Sequence, residues 1–270
     1  MMIEEPARAA MRAYYERGEE RDRLAEPRGQ LEYERTKEIL LRHLPPPPAV
    51  VADIGGGPGR YALWLAALGY QVVHRDLMPM HVEQLREAAA GDPLIDSDVA
   101  DARGLDLADG SADAVLLLGP LYHLGRRADR VRALTEARRV VRCGGPVFVA
   151  AISRWAPRMD GILRLRLYEA LPGVEGELPG IETTGHLPPF HRDAFNAYTH
   201  RPGQLRAELI ASGSTIVDLV CVEGPAYLLD DLPERLADDE ARRVVLETAR
   251  ALERVPELLG IGPHLLATVR

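Results

Sequence analysis

The sequence predicts an α/β fold in which an open, mostly parallel sheet of seven strands carries helices on both faces. Three observations lead to this class. Short apolar runs alternate with segments at helical spacing of about ten to fifteen residues, a glycine-rich turn follows the first apolar run, and no apolar run approaches the ~20 residues that span a bilayer. Strands that alternate with helices in this way pair in parallel, and the helices then cover both faces.

The chain before the first strand is predominantly charged. Residues 6–43 carry charges at helical spacing with few apolar residues, which predicts one or two amphipathic helices. The prolines at 45–48 cannot continue a helix and predict an extended connection. We therefore expect residues 1–44 to form a helical lid and residues 45–270 to form the main domain.

The alternating elements run to residue 153, stop, and then resume. From residue 154 to about 200, prolines, histidines and aromatic residues interrupt the pattern, which predicts a cap insertion. The predicted strands are 50–54, 71–76, 93–100, 112–119, 146–153, 214–224 and 263–270, and the predicted helices are 61–69, 79–90, 127–141, 202–213 and 234–255.

Composition excludes several classes of protein. The formal net charge of −8 opposes binding to a polyanion, so we expect no nucleic-acid partner. Cys143 and Cys221 lie far apart and lack metal-ligand spacing, which predicts neither a disulfide framework nor a metal centre. The charged N-terminus and the missing apolar span predict a cytoplasmic protein without a membrane partner. Either a monomer or a homodimer is compatible with the sequence.

The stretch VVADIGGGPGR, residues 50–60, predicts a ligand that approaches bare backbone at the edge of the sheet. The pyrophosphate fingerprint GxGxxG fails at its third glycine, because Arg60 stands there. A phosphate-binding P-loop fails as well, because no GK[ST] follows. We therefore expect a nucleotide-type ligand without a pyrophosphate.

Residues 50–79 resemble the first motif and second strand of class I S-adenosylmethionine-dependent methyltransferases, which have a Rossmann-like fold. Asp53, Gly55, Gly57, Gly59 and Asp76 occupy the acidic and GxGxG positions of that pattern. Two later segments, DVADARGLDLADGSADAVLLLGPLYHL and EARRVVRCGGPVFVAAIS, resemble further motifs of the family in the same order. The resemblance implies S-adenosyl-L-methionine as the cofactor.

The resemblance also implies roles for the acidic residues. Asp76 is expected to accept from the ribose diol, or to cap the helix that follows it, and both roles are compatible. Asp53 is expected to orient the glycine loop or to reach the amino group of the methionine, and a plain loop hydrogen bond is the alternative. Asp101 and the Ala102 backbone correspond to the family's adenine-binding position, with Asp98 as the competing register.

Apolar and small residues complete the implied cofactor site. Leu77 and Met78 are expected either to line the adenine pocket or to belong to the core. Gly119 ends the fourth strand, where a bare backbone lets the sulfonium end of the cofactor approach.

The acceptor is expected at the same edge of the sheet. Alignment of acceptor, methyl and sulfur is the main requirement, and a base is needed only for an acceptor with a proton to lose. His123 and His200 are the candidate bases, with His123 directly after the fourth strand. Satisfied loop histidines are the alternative interpretation. The candidate acceptor-binding residues are Tyr14, Tyr15, Tyr122, His191 and Tyr198.

A small-molecule acceptor held under a cap agrees best with these features. The segment LGPLYHL departs from the pattern of DNA amino-methyltransferases, and the acidic charge disfavours RNA. The alternatives are an RNA or protein methyltransferase and a non-catalytic scaffold that binds S-adenosylmethionine, because a fold does not determine an activity.

Overall fold

The computed structural model describes residues 12–15, 23–24, 26–189 and 196–270. Within these residues nine strands form the central sheet. The strands are β1 (Val50–Ile54), β2 (Gln71–Asp76), β3 (Ile95–Val99), β4 (Ala114–Leu117), β5 (Val147–Ser153), β6 (His186–Leu187), β7 (Ala197–His200), β8 (Ile216–Cys221) and β9 (His264–Val269).

Seven of these strands form the predicted sheet, in the order β3-β2-β1-β4-β5-β9-β8. The pairs on the β1 side of β5 are parallel, whereas β9 runs antiparallel to both of its neighbours. The mostly parallel α/β prediction is confirmed. The carboxyl ends of the parallel strands therefore share one edge with the first residue of β9.

Helices cover both faces of the sheet, and four of them begin with proline at the first helical position, where a missing N–H costs nothing. Shorter π-helical or 3₁₀ segments lie at Pro157–Arg164, Val174–Gly176, Gly224–Leu228 and Pro256–Leu258. The helices are α1 (Pro27–Leu41), α2 (Arg60–Ala67), α3 (Pro79–Ala89), α4 (Pro120–His123), α5 (Arg127–Val140), α6 (Leu167–Ala170), α7 (Leu178–Thr184), α8 (Pro202–Ala211), α9 (Leu232–Ala237) and α10 (Asp239–Leu252).

The helix predicted at 234–255 is divided in the structure. The Asp238 carboxylate accepts a hydrogen bond from the Ala241 backbone N–H at 2.8 Å, so it caps the start of α10 and ends α9. The apolar pattern continues across this break, which is why periodicity alone predicted one element. None of the described helices has the length and apolarity needed to cross a membrane.

Helix α1 is an integral part of the core. Its residues Ile39 and Leu40 are fully buried and belong to the same cluster as Val51 and Phe148 of the sheet. The C-terminal half of α1 therefore packs directly against the sheet. Of residues 1–44, predicted as a lid, the described segment before α1 contributes Tyr15, Arg23 and Leu24 to the lining of the cavity described below.

The segment predicted as a cap insertion, 154–200, begins with short helical turns and ends in a two-stranded hairpin. Its last strand, β7, pairs with β5 at Ile152 and Ser153, beyond the point where β4 has ended. The end of the insertion thus extends the sheet locally.

Candidate functional site

One cavity opens at the carboxyl edge of the sheet, between the glycine loop after β1 and the start of α4. Most of the residues predicted from the sequence line it together. Because they come from the ends of β1, β2, β3 and β4 and from the chain before α1, the sheet topology brings them together as expected. The predicted residues in the lining are Tyr15, Asp53, Gly55, Gly57, Asp76, Leu77, Met78, Asp101, Ala102, Gly119, Tyr122 and His123.

The glycines of the loop serve two different purposes. Gly55 has φ of +66°, and a Cβ there would lie 2.5 Å from the Pro120 ring, so this glycine allows the loop to pack on α4. Gly57 has φ of +57°, yet a Cβ there would meet nothing within 4 Å. Gly57 therefore leaves open space beside the cavity, as a loop that binds a ligand through its backbone requires.

Asp53 lies beneath this loop and is only 1% exposed. Burial, and secondarily the charge of Asp76, raises the pKa of Asp53 to about 7. Its Oδ2 atom is buried and has no hydrogen-bond partner among the described residues. An unpartnered buried carboxylate oxygen that lines a cavity is suited to an amino group supplied by a ligand.

Asp76, at the end of β2, holds the loop in place. Its carboxylate accepts from the backbone N–H groups of Gly57 at 2.9 Å and Met78 at 2.8 Å, and it contacts His81 Nδ1 at 3.1 Å. Burial acts to raise the pKa of Asp76, but the bonds and charge of His81 and the two N–H groups lower it below its usual value. Asp76 is therefore a carboxylate that keeps acceptor capacity on Oδ2.

The two registers considered for the adenine position differ in the structure. Asp101 lines the cavity, and its carboxylate is held by the Arg103 side chain at 2.9 and 2.6 Å. The Asp98 side chain is 62% exposed, accepts from the Val99 backbone N–H and does not line the cavity. The geometry therefore favours Asp101.

Tyr15 and His123 form one wall of the cavity. The Tyr15 hydroxyl lies 2.7 Å from His123 Nε2, and the Tyr15 ring stacks edge-on against His81. Burial lowers the pKa of His123 to about 4, so the ring is neutral at pH 7. The adjacent Tyr14 contacts the Tyr15 ring but does not line the cavity.

Of the predicted residues of the insertion, the two that the structure describes, Tyr198 and His200, do not line this cavity. His200 is fully buried on β7, and its Nε2 lies 3.1 Å from the Glu208 carboxylate. The Arg130 guanidinium lies over the Tyr198 ring, with its Cζ atom 3.5 Å from the centre of that ring. Because β7 continues the sheet beside β5, both side chains pack against α5 and α8, where a base for the acceptor cannot reach it. His191 lies outside the described residues.

Sequence reasoning missed a charged group at the far end of the cavity. Arg23, Glu32 and His264 line it, and Glu223 lies directly behind His264. These four residues, called the polar wall below, come from three separated parts of the chain. The signal that could have identified His264 and Glu223 is topological: the end of β8 and the start of an antiparallel β9 lie at the same edge of the sheet.

Part of the chain is similar to known methyltransferases. A model of the methyltransferase domain matches residues 52–149. The ubiquinone/menaquinone biosynthesis C-methyltransferase of Acidiphilium cryptum is 35% identical over 122 residues, which cover 44% of this chain and 48% of that protein. The malonyl-[acyl-carrier protein] O-methyltransferase of Methylococcus capsulatus is 30% identical over 148 residues, 51% of this chain and 53% of that protein. The chain thus spans about half the length of these curated relatives.

A solved structure shows the same fold over most of the chain. The S-adenosylmethionine-dependent methyltransferase of Methanosarcina mazei superposes with a TM-score of 0.58 at 19% identity, covering 86% of this chain and 95% of that one. At this identity the likeness concerns the fold. Residues 52–149, which contain the ordered motifs around the glycine loop, thus match a methyltransferase domain, and the chain shares the Rossmann-like fold of S-adenosylmethionine-dependent methyltransferases.

Proposed function

We propose that the protein transfers a methyl group from S-adenosylmethionine to a small-molecule acceptor. The observation that carries this proposal is the meeting of a bare glycine loop with the carboxyl groups of Asp53, Asp76 and Asp101 in one cavity. The cofactor has no phosphate, so a loop without a cationic side chain suits it. The match to the methyltransferase domain supports the same cofactor.

The residues present fit this cofactor. The unpartnered Oδ2 of Asp53 suits the amino group of the methionine, Oδ2 of Asp76 suits the ribose diol, and Asp101 suits the adenine amino group. The bound cofactor supplies a sulfonium methyl group, which leaves with the S–C electron pair remaining on sulfur. The contribution of the chain is to fix positions, and good alignment alone accelerates a reaction between two bound groups by several orders of magnitude.

The rest of the cavity lining suits a small acceptor. It combines the apolar residues Leu118, Ala150 and Leu266 with the polar wall, and α1 contributes Thr36. The matched relatives have names that refer to ubiquinone and menaquinone biosynthesis and to malonyl-[acyl-carrier protein], which supports an acceptor of this kind.

In this proposal His123 shapes the wall of the cavity and does not act as a general base. A general base works best when its pKa is near the operating pH, and burial lowers the pKa of His123 to about 4. Of the two mechanisms considered from the sequence, this favours transfer driven by alignment, with His123 and Tyr122 as wall residues.

We further propose that the chain before α1 closes the cavity. Tyr15, Arg23 and Leu24 line it, and the Tyr15 hydroxyl bonds to His123 on the opposite side. Hydrogen exchange with and without S-adenosylhomocysteine tests this role. We expect slower exchange in peptides that contain Tyr15 when the ligand is bound, and equal exchange would remove the lid assignment.

The activity is tested with methyl-labelled S-adenosylmethionine and three separate pools of acceptors: small metabolites, RNA and protein. We expect label in the metabolite pool, dependent on the enzyme and lost in Asp76→Ala. Label confined to RNA or protein would contradict a small-molecule acceptor. Binding of the cofactor without label in any pool would support the non-catalytic scaffold instead.

A further inference from the structure

The polar wall contains a histidine that is held by charges on two sides. His264 is the first residue of β9, Glu223 follows the end of β8, and Glu32 lies on α1. All three therefore lie at the carboxyl edge of the sheet, on the opposite side of the cavity from the glycine loop. The glycine loop and this wall line the same cavity, so a cofactor on the loop and an acceptor at the wall would share it.

Hydrogen bonds and ion pairs connect the side chains of the polar wall. The Nδ1 atom of His264 lies 2.5 Å from Glu223 Oε1 and 3.8 Å from Glu32 Oε2. Arg23 donates to both oxygens of Glu32, at 2.6 and 3.2 Å. Burial acts to lower the pKa of His264, but Glu32 and Glu223 outweigh it and raise the pKa to about 9. His264 is thus an imidazolium at neutral pH, fixed at Nδ1.

The two carboxylates of the wall are already engaged. The Glu223 side chain is 2% exposed and lies outside the lining of the cavity, so it faces the ring of His264 and not a ligand. Glu32 lines the cavity but is paired through both oxygens with Arg23. The Nε2 atom of His264 has no hydrogen-bond partner among the described residues, although the side chain, 21% exposed, lines the cavity.

Acidic and cationic groups are arranged differently in the two parts of the cavity. The glycine-loop part contains the carboxyl groups of Asp53, Asp76 and Asp101 with the Arg60 side chain, whereas in the wall each cation has a carboxylate partner, Glu32 for Arg23 and Glu223 for His264. A cationic N–H donor without a partner selects for an oxygen that carries negative charge, because such bonds are about twice as strong as neutral ones. A protonated amine would instead meet an imidazolium of like charge.

On this basis, and resting on the proposed function, we propose that His264 binds the methyl acceptor by donating from Nε2 to a negatively charged oxygen, so that the acceptor is a small oxyanion such as a carboxylate, phenolate or enolate. Glu223 and Glu32 are positioning residues that keep the ring charged and fixed. An acceptor bound as an oxyanion has no proton left to lose. The site then needs no base, in agreement with the low pKa of His123.

The same atoms offer a competing use, since one ligand atom each from Glu32, Glu223 and His264 lies within 4.8 Å of the others, close enough to hold a metal ion. Two features oppose a metal. Arg23 already pairs with Glu32, and the contact between His264 Nδ1 and Glu223 Oε1 engages two of the atoms that a metal ion would need as ligands. The test therefore includes a metal as one of its outcomes.

The experiment uses the full chain with ¹³C-labelled histidine, saturated with S-adenosylhomocysteine, and follows the His264 ring by NMR. Benzoate, benzylamine and benzyl alcohol serve as probes of matched size and different charge, and His186→Gln, which alters an exposed histidine outside the cavity, is the control. We expect benzoate to shift the His264 resonance saturably with a dissociation constant of about 1–10 mM, and the other two probes to bind at least about fivefold more weakly.

Two further measurements test whether benzoate binds through His264. His264→Gln is expected to lose at least about fivefold in benzoate affinity, while His186→Gln retains it. In the wild-type protein, benzoate affinity should fall as pH rises through about 9, because His264 loses its proton there, and Glu223→Gln should move that fall to lower pH. The pH profile needs no variant, so it stands even where a substitution impairs folding.

Three outcomes would overturn the inference while leaving the proposed function intact. They are the absence of a saturable shift up to about 50 mM benzoate in a sample that binds S-adenosylhomocysteine, equal binding of benzylamine and benzoate, and stoichiometric binding of Mn²⁺ at about 1 mM that depends on Glu32. Failure of S-adenosylhomocysteine itself to bind would instead contradict the proposed function.

Discussion

The hydroxyl group of Tyr15 lies 2.7 Å from Nε2 of His123, a contact that joins residues 108 positions apart in the chain. It connects the segment before α1 to the turn after β4, at the edge where the glycine loop also lies. This contact places a neutral histidine, already engaged by a phenol, in the cavity wall near His81 and Asp76. The position suits a residue that shapes the pocket better than one that removes a proton.

The first prediction concerns this pair. His123→Gln and Tyr15→Phe should each raise the KM for the acceptor and leave kcat within about tenfold of the wild type, because a wall residue contributes to binding more than to the chemical step. Steady-state kinetics between pH 6 and 9 measure both constants. A fall in kcat of about 10²- to 10⁴-fold for His123→Gln, with KM unchanged, would restore His123 as the general base.

The second prediction uses two glycines with similar backbone geometry. Gly57 (φ +57°) and Gly144 (φ +78°) both have open space where a Cβ would lie, but Gly57 alone lines the cavity. Alanine at either position should cost about 1 kcal/mol of stability, because the left-handed conformation is strained for a residue with a side chain. Gly57→Ala should in addition weaken S-adenosylhomocysteine binding by at least about tenfold, since the added methyl enters ligand space.

Urea unfolding and calorimetry together separate the two effects of these alanine variants. Gly144→Ala is the matched control, with the strain but without the loss of affinity. Equal dissociation constants for both variants would show that the loop does not contact the ligand.

The third prediction follows from the burial of Asp53, which raises its pKa to about 7. At pH 4 the carboxyl group is largely protonated in the folded protein, and from pH 4 to 7 the unfolded chain releases the proton while the folded chain keeps it. The free energy of unfolding that depends on Asp53 therefore decreases as pH rises through this window. Asp53→Asn should thus be more stable than the wild type at pH 8 by about 1–3 kcal/mol, with a smaller difference at pH 4.

The same variant should lose cofactor affinity by about tenfold, because the buried carboxylate would otherwise pair with an amino group. Chemical unfolding at the two pH values and calorimetry at pH 8 test both parts. A variant that is less stable than the wild type at pH 8 would contradict the assignment of Asp53 as a strained, ligand-directed group.

The fourth prediction compares the ends of neighbouring strands. Asp76→Asn replaces a carboxylate oxygen with an amide N–H₂ beside backbone donors, which should cost about 1.5–3 kcal/mol of binding, or roughly 10- to 150-fold in S-adenosylhomocysteine affinity. Asp98→Asn, on the exposed side of β3, should leave the affinity unchanged. An Asp98 variant that weakens binding as strongly as the Asp76 variant would favour the alternative register.

The cofactor half of the site could be predicted because its signals are local. Asp53, Gly55 and Gly57 lie within five positions of one another, and Asp76 ends the next strand, so a parallel sheet brings them to one edge. His200 could not be placed in the same way. Its short strand pairs with β5, and this long-range pairing directs the ring toward Glu208.

The polar wall was missed for a related reason. Glu32 and Glu223 are 191 positions apart, Glu223 and His264 are 41 positions apart, and no local pattern connects them. They meet only because β9 is antiparallel and α1 crosses the same edge of the sheet. Reading a sequence in order identifies motifs on successive strands, whereas a site built from the two ends of the chain requires the strand order.

The most direct test of the central claim is calorimetric titration of the wild-type protein with S-adenosylhomocysteine, with a nicotinamide dinucleotide as the competing ligand. The account predicts a single saturable site for S-adenosylhomocysteine with a dissociation constant at or below about 100 µM, and no binding of the dinucleotide. Binding of the dinucleotide, with no heat from S-adenosylhomocysteine up to about 1 mM, would contradict it.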